Sequence, residues 1–201
     1  MTIFVRHRIN TISNLLETPT RFGVEIDLRS SHQDIILCHD PFSKNSVNFR
    51  DWLQHFDHRL LILNVKEEGL EKHITQILKK LSINNYFFLD QSFPFLIKTS
   101  SNGETRSAVR FSEYESIDTV ISLKNKINWV WVDYFTKFPL SLEQYQSLQS
   151  MNYKVCLVSP ELQGYSPEIM KSLVSNLNSW KISVDAVCTK HPELWEALYN
   201  Q

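Results

Sequence analysis

The feature that most constrains the fold is an alternation, along the whole chain, between short apolar runs and stretches of helical period. Such alternation is typical of βα units, in which helices connect the strands of a parallel sheet. Apolar residues at spacings of three and four mark the faces of helices that pack on the core. These stripes lie in Leu70–Leu81, Leu142–Met151 and Ile169–Trp180. The pattern predicts an α/β fold.

Nine apolar runs are candidate strands, one more than an eight-stranded barrel requires. Only Ser30–Asp34 separates the second run from the third, whereas a parallel crossover needs a dozen or more residues. We therefore expect an antiparallel hairpin about Gln33, in which Asp27 pairs with His39. The prediction is a single domain over residues 1–201, a compact (β/α)8 TIM barrel with an extra β-hairpin arm after the second strand. The runs are Ile3–His7, Phe22–Arg29, Ile35–His39, Leu60–Lys66, Tyr86–Leu89, Ala108–Phe111, Trp129–Asp133, Lys154–Val158 and Asp185–Thr189.

Composition and charge exclude several classes of function. The 21 Lys and Arg residues balance 22 Asp and Glu residues, and a net charge of −1 provides no bulk field for nucleic acid or an anionic membrane. The four glycines lie too far apart for a dinucleotide-binding or P-loop motif. No apolar run approaches the roughly 18 residues of a membrane span, so no integral membrane association is expected. Oligomeric state is left open.

The three cysteines indicate a reducing compartment. Cys38, Cys156 and Cys188 each lie in an apolar run, and no pair has the C-x-x-C spacing. Cysteines in this arrangement are typical of reduced thiols in a protein core, rather than of a disulfide or zinc framework. We therefore expect a cytoplasmic protein.

Two acidic residues occupy the inner face of the second predicted strand. Val24, Ile26 and Leu28 share one face, which suits contact with helices, so Glu25 and Asp27 point together into the barrel. Two carboxylates buried two residues apart are costly unless a cation or a basic side chain compensates them. A site that holds positive charge is therefore expected beside this strand.

Other polar residues have matching positions at the strand ends. Asn64 and Lys66 point inward at the end of the fourth run, and His7 ends the first run. The hairpin returns His39 to the level of the two carboxylates, and Arg110 lies near the end of its strand. Since catalytic groups of such barrels collect at the C-terminal ends of the strands, we expect these side chains at one mouth. Arg110 is a candidate for a second phosphate or headgroup contact.

A second pair of histidines is less informative. His55 and His58 follow a short helix and have the spacing of a metal-binding pair, but the sequence provides no third ligand. We expect them to lie at a solvent-exposed end.

The ordered motifs resemble the glycerophosphodiester phosphodiesterase family and the wider superfamily of barrels similar to phosphatidylinositol phospholipase C. The resemblance implies a metal-dependent hydrolysis of phosphodiesters of glycerol or a similar alcohol. It rests on His7-Arg8-x-Asn10, Glu25-x-Asp27, His39-Asp40, Lys66 at the end of an apolar strand, and the terminal segment Asp185–Pro192.

The resemblance also implies roles for individual residues. Glu25 and Asp27 would bind Mg²⁺ or Ca²⁺, with Asn64 at the position of a further ligand. The catalytic general base and acid would be His7 and His39. The substrate would be a small-molecule phosphodiester, whose phosphate Arg8 and Lys66 would neutralise.

The chain departs from the family pattern at Asn64, where the family usually has an acidic metal ligand. The inserted segment that commonly follows the His39-Asp40 motif is absent, and Ser30–Asp34 replaces a turn that usually contains glycine. Two alternatives therefore stay open beside hydrolysis. One is a barrel that has lost turnover and binds a phosphorylated ligand, and the other is a lyase that releases a cyclic phosphodiester.

Overall fold

The computed structural model describes residues 1–43 and 46–200 as two compact units. The N-terminal unit is Arg6–Ser107, and the C-terminal unit combines Met1–Val5 with Ala108–Gln201. Strands and helices alternate along both units, as the sequence pattern predicts.

Each of the nine predicted apolar runs overlaps a strand, and the described residues form one short strand more. The strands are β1 (Ile3–Arg6), β2 (Gly23–Ser31), β3 (Asp34–Leu37), β4 (Val47–Asn48), β5 (Leu61–Val65), β6 (Tyr86–Leu89), β7 (Ala108–Phe111), β8 (Trp129–Val132), β9 (Lys154–Val158) and β10 (Ala186–Thr189). The helices are α1 (Ile12–Glu17), α2 (Phe49–Leu53), α3 (Glu71–Lys80), α4 (Phe93–Ser101), α5 (Ile117–Ser122), α6 (Leu142–Ser150), α7 (Ile169–Ser179) and α8 (Pro192–Tyr199).

Strand β2 is the centre of the sheet in the N-terminal unit. It pairs in parallel with β5, which pairs in parallel with β6. On its other edge β2 pairs antiparallel with β3, and β3 pairs antiparallel with β4. The parallel register places Asp27 opposite Asn64, so these two side chains share a face of the sheet.

The register of the β2–β3 hairpin differs from the prediction by one residue. Leu28 lies opposite Leu37, and the backbone amide of Cys38 donates to the carbonyl of Asp27. The expected partner of Asp27, His39, therefore follows the paired positions. The reason is the turn, which is confined to His32 and Gln33 between the last pair of strand residues, rather than centred on Gln33.

The apolar face of β2 packs in the core of the N-terminal unit. Val24, Ile26 and Leu28 are fully buried in one cluster, which also contains Trp52 of α2 and Ile74 of α3. Because successive side chains of a strand point to opposite faces, this packing directs the alternate residues of β2 to the other side of the sheet.

The sheet of the C-terminal unit has the strand order β1-β10-β9-β8-β7. A buried polar network ties the last helix to the strand ends. The indole Nε1 of Trp195 donates to Ser159 Oγ at 2.7 Å, and Thr189 Oγ1 donates to Glu161 Oε1 at 2.5 Å. The backbone amide of Lys190 donates to the same carboxylate oxygen at 3.0 Å. The network supplies partners for polar groups that would otherwise be costly to bury.

Two expectations about individual side chains have different outcomes. Cys38, Cys156 and Cys188 are buried free thiols, as predicted. His58, in contrast, is not at a solvent-exposed end: it is 8% exposed, and its Nε2 lies 2.9 Å from the carbonyl of Thr18. The His58 ring also stacks on the neighbouring Phe56, and burial lowers the pKa of His58.

Among the residues that the structure describes, no helix is long and apolar enough to cross a membrane.

The hairpin turn offers a test of the backbone geometry. His32 has φ +56°, in the left-handed region, whereas Gln33 is not among the residues with positive φ. Because a side chain in that region costs roughly 1–2 kcal/mol, we expect His32→Gly to stabilise the fold by up to about 1 kcal/mol after the added entropy of the unfolded chain is subtracted. Urea unfolding measures the change.

Gln33→Gly is the matched control, since it adds the same chain entropy without relieving strain. It should lower the free energy of unfolding. Equal effects of the two substitutions would contradict the turn geometry.

Candidate active site

Polar side chains of the N-terminal unit gather around Glu25 and Asp27 on β2. Both carboxylates are fully buried. His7 and Arg8 come directly after β1, Asn64 is in β5, and Lys66 comes directly after β5. His39 follows the end of β3. All the predicted site residues except Arg110 therefore belong to this unit.

Glu25 is held by neutral donors. Its Oε2 accepts a hydrogen bond of 2.8 Å from the backbone amide of Arg8, and its Oε1 accepts one of 2.9 Å from Asn64 Nδ2. His7 Nε2 lies 3.8 Å from Oε2. Burial, and after it the charge of Asp27, raises the pKa of Glu25 from 4.5 to about 7, against the opposing effect of these hydrogen bonds and of Lys66.

Asp27 is fixed by Asn10 through two reciprocal hydrogen bonds. Asn10 Nδ2 donates to Asp27 Oδ2 at 2.8 Å, and the backbone amide of Asp27 donates to Asn10 Oδ1 at 2.9 Å. One bond holds the carboxylate oxygen of Asp27, and the other holds its backbone amide. Asn10 therefore fixes the orientation of Asp27.

Two cationic side chains compensate the charge of Asp27. Lys66 Nζ lies 3.3 Å from Asp27 Oδ1 and 3.7 Å from Asp90 Oδ2. Arg8 Nε lies 3.9 Å from Asp27 Oδ2. Arg8 is nearly half exposed, whereas Lys66 is mostly buried. Positive charge is therefore available both inside the site and at its surface.

His39 has a partner at each ring nitrogen. Its Nδ1 lies 2.7 Å from Asp40 Oδ1, and its Nε2 lies 2.5 Å from Arg8 Nη2. A guanidinium group only donates and a carboxylate accepts, so this arrangement fits a ring with its proton on Nδ1 and a lone pair on Nε2. His39, with a side chain that is 37% exposed, also holds Asp40 at a lowered pKa through their hydrogen bond.

The donor atoms suit a hard divalent cation. Asn64 Oδ1 and Asp27 Oδ1 are buried oxygens without a hydrogen bond, although Asp27 Oδ1 has the ion pair with Lys66, and their residues are direct partners across β2 and β5. Mg²⁺ and Ca²⁺ prefer carboxylate and carbonyl oxygens, and Glu25 adds a second carboxylate. Residues 1–43 and 46–200 contain no group of three His, Cys, Asp or Glu side chains arranged for a metal, so a cation here would depend on the amide oxygen of Asn64.

The sequence analysis assigned no role to Arg29 and Glu67. Arg29 donates to the backbone carbonyl of His39, and Glu67 accepts from Ser30 and pairs with Arg29. Strand parity could have indicated Arg29, which shares the face of Asp27. Glu67 lies in a loop, where no periodic pattern indicates direction.

Arg110 belongs to the C-terminal unit. There it forms an ion pair with the buried Asp133 just after β8, and Gln163 Nε2 donates to the other oxygen of Asp133 at 3.3 Å. The guanidinium is therefore oriented by a carboxylate. Its contact with a phosphate stays a prediction.

Two cavities in the N-terminal unit differ in their chemistry. One of about 220 Å³ opens beside Lys66 and is otherwise rich in carboxylates, including Glu67, Glu71 and Asp90. A cavity of about 650 Å³ lies between α3 and α4 and contains none of the predicted site residues. The side chains, rather than cavity size, therefore identify the candidate site.

Comparisons with known proteins support the fold. The chain is similar over its full length to the crystal structure of a glycerophosphodiester phosphodiesterase from Agrobacterium tumefaciens, with a TM-score of 0.70, 13% identity and 100% of that chain covered. A glycerophosphoryl diester phosphodiesterase from Parabacteroides distasonis gives a TM-score of 0.69 with 10% identity, over 100% of this chain and 86% of the other. A candidate glycerophosphodiester phosphodiesterase from Galdieria sulphuraria gives a TM-score of 0.77 with 15% identity, over 100% of this chain and 98% of the other.

No protein-family model matches the sequence, and no curated protein matches it. At such low identity the structural similarity establishes the fold alone. The chain shares its α/β fold with these glycerophosphodiester phosphodiesterase structures, so the resemblance of the sequence motifs is confirmed at the level of fold.

Glu25 gives the metal-free protein a distinctive dependence on pH. Its pKa is higher in the folded chain than in the unfolded chain, so the folded state binds more protons between pH 4.5 and about 7. Stability should therefore fall as pH rises through this window, by up to roughly 3 kcal/mol from this group. Urea unfolding in the presence of a chelator, at pH 5 and pH 7.5, measures the difference.

Glu25→Gln removes the titrating group and keeps the shape, and Asn64 can rotate its amide to match the new side chain. In this variant the free energy of unfolding should fall much less between pH 5 and pH 7.5 than it does in the parent. A decrease equal to that of the parent would assign the pH dependence to another group.

Proposed function

We propose that the protein is a divalent-metal-dependent phosphodiesterase that hydrolyses a glycerophosphodiester or a related alcohol phosphodiester. The observation that carries the proposal is the cluster of two histidines and two cationic side chains around the buried carboxylates Glu25 and Asp27. The full-length similarity to glycerophosphodiester phosphodiesterases supports it. The proposal includes the (β/α)8 barrel with its hairpin arm.

Substrate binding is the role of the cationic residues. Arg8 presents an exposed guanidinium, which can form paired hydrogen bonds with phosphate oxygens. Lys66 adds a point charge beside Asp27. Arg110 provides a further contact to the phosphate or the headgroup.

The residues that would hold the cation are Glu25, Asp27 and Asn64. When bound, a hard divalent cation polarises a non-bridging phosphate oxygen. Asn10 keeps Asp27 in a fixed orientation for this role. Asn64 serves two purposes, since its Nδ2 donates to Glu25 while its Oδ1 stays available.

Proton transfer is the role of His7 and His39, one as general base and the other as general acid. An imidazole has an ordinary pKa close to 6.5, which lets it accept or donate a proton near neutral pH. Asp40 holds the proton of His39 on Nδ1, so exchange with the substrate takes place at Nε2. Arg8 occupies that nitrogen, and a phosphate that attracts Arg8 would release it.

The geometry is also compatible with a lyase. A hydroxyl group adjacent to the phosphoester could attack the phosphorus while the base accepts its proton. The P–O bond to the other alcohol then breaks, the general acid protonates that alcohol as it leaves, and a cyclic phosphodiester remains. Phosphorus NMR of the products distinguishes this outcome from hydrolysis.

We expect the parent to hydrolyse at least one of glycerophosphocholine, glycerophosphoethanolamine and glycerophosphoinositol with Mg²⁺, Ca²⁺ or Mn²⁺. His7→Ala and His39→Ala should each lower turnover by about 10²–10⁴-fold, the usual contribution of a general acid or base. These substrates are suitable because their alkoxide leaving groups need a proton.

His55→Ala is the control, since His55 is exposed and outside the cluster. Its activity should equal that of the parent. Near-parental activity of either His7→Ala or His39→Ala would remove that residue from the mechanism. Tight binding of one phosphodiester without turnover under any metal would instead indicate a binding protein.

Because Asn64 is a neutral ligand, we expect the protein to bind a divalent metal weakly when no substrate is present. An amide in place of a carboxylate removes a negative charge, and cation affinity depends on the charge and number of the ligands. Phosphate oxygens should complete the coordination, so metal and substrate should raise each other's affinity by the same factor. Calorimetry measures the metal affinity with and without a non-hydrolysable phosphodiester. In Asn64→Asp and Asn64→Glu the metal should bind more tightly when the phosphodiester is absent, and the phosphodiester should raise the metal affinity by a smaller factor than in the parent.

Asn102→Asp adds the same charge at an exposed position of the same unit and serves as the control. It should leave metal affinity unchanged. Tight binding by the parent alone, or unchanged affinity in both Asn64 variants, would place Asn64 away from the cation.

A further inference from the structure

The backbone of His39 is held by a side chain rather than by a strand. Strand β3 ends at Leu37, and the amide of Cys38 forms a backbone hydrogen bond with the carbonyl of Asp27. One residue later, the carbonyl of His39 accepts two hydrogen bonds from Arg29, at 3.2 Å from Nε and 3.0 Å from Nη2. Arg29 is therefore a direct side-chain partner of the backbone at His39.

The Arg29 guanidinium suits this task. It is planar and offers Nε and Nη2 as a fixed fork, so both bonds constrain one carbonyl. Its side chain is only 18% exposed, which limits the alternative conformations open to it. Arg29 lies on the same face of β2 as Asp27, opposite Ile36 of β3.

Glu67 fixes Arg29 in turn. Its Oε1 lies 3.6 Å from Arg29 Nη1. Its Oε2 accepts from the backbone amide of Ser30 at 3.0 Å and from Ser30 Oγ at 2.5 Å. Glu67 follows Lys66 directly, so this chain of contacts links the loop of the phosphate-binding lysine to the backbone of His39.

We propose that Arg29, held by Glu67, is a positioning residue that sets the place of His39 in the reaction. The inference rests on the proposed function for the role of His39, whereas the contacts of Arg29 with the His39 carbonyl and with Glu67 do not. A misplacement of about 1 Å can cost about 10²-fold in rate, because a proton-transfer group works only within hydrogen-bonding reach.

The first experiment measures His39 directly, by long-range ¹H–¹⁵N NMR of the histidine rings of the full chain. His39→Ala identifies the signals of His39 in the parent. In Arg29→Gln these signals should shift and broaden, while those of His55 stay unchanged. Arg29→Lys keeps the charge but offers one donor nitrogen in place of the two-nitrogen fork, and it should restore part of the parental spectrum.

Arg106→Gln is the matched control. Arg106 forms a bidentate ion pair with Glu104 in the same unit, so its replacement removes a comparable interaction away from His39. It should leave the His39 signals unchanged. Glu67→Gln keeps an acceptor for Ser30 but loses the charge that faces Arg29, and it should move the His39 signals less than Arg29→Gln does.

Unchanged His39 signals in folded Arg29→Gln would overturn the proposal. If that variant does not fold, Glu67→Gln and Arg29→Lys decide in its place, and unchanged His39 signals in both would overturn it. The same result in Arg106→Gln as in Arg29→Gln would do so too, since the effect would then be general.

The second experiment is a double-mutant cycle on turnover. Arg29→Gln should lower kcat by about 10- to 100-fold in the parent, with little change in KM, and by less than about threefold in His39→Ala. Equal losses in both backgrounds would make Arg29 a direct substrate contact and overturn the positioning role. Absence of turnover in the parent would contradict the proposed function, and the NMR comparison would still decide the positioning role.

Discussion

The burial of two carboxyl groups on one strand is the constraint that the rest of the N-terminal unit has to satisfy. Glu25 and Asp27 lie two residues apart on β2, and neither is exposed. In an environment of low dielectric constant, ionised carboxylates are stable only when hydrogen bonds and opposite charges surround them. Segments before and after β2 in the chain bring these groups. The segment after β1 contributes Arg8 and Asn10, whereas β5 contributes Asn64 and leads into Lys66.

The two carboxylates are compensated by different means, and this difference separates their chemistry. Glu25 has neutral donors and a raised pKa, whereas Asp27 has a lysine and an arginine nearby. The cationic side chains that stabilise the buried Asp27 are thus also groups that can attract a phosphodiester.

The sequence was sufficient for features that follow from periodicity. The alternation of Val24, Ile26 and Leu28 with Glu25 and Asp27 predicted which face of β2 is apolar, because strand parity is a local rule. The hairpin register was wrong by one residue because it depends on the turn at His32. His58 was expected in solvent because the contact that buries it, with the carbonyl of Thr18, joins segments 40 residues apart in sequence.

For Arg29, too, the sequence indicates the direction of a side chain better than its contacts. The parity of Arg29 was visible, but its acceptor is a backbone carbonyl, which any residue could provide. Sequence patterns report the side chains of a site more readily than the hydrogen bonds that fix their backbones.

The topology of β2 has a consequence for the order in which the unit folds. Its pairing with β3 closes a two-residue turn, whereas its pairing with β5 joins segments that are distant in sequence. Local pairings form quickly and long-range ones wait for a slower loop closure. We expect the hairpin to form while Glu25 and Asp27 are still hydrated. The docking of β5 then removes their water and delivers Asn64 and Lys66 together, so neither carboxylate has to cross a stage in which it is dry and uncompensated.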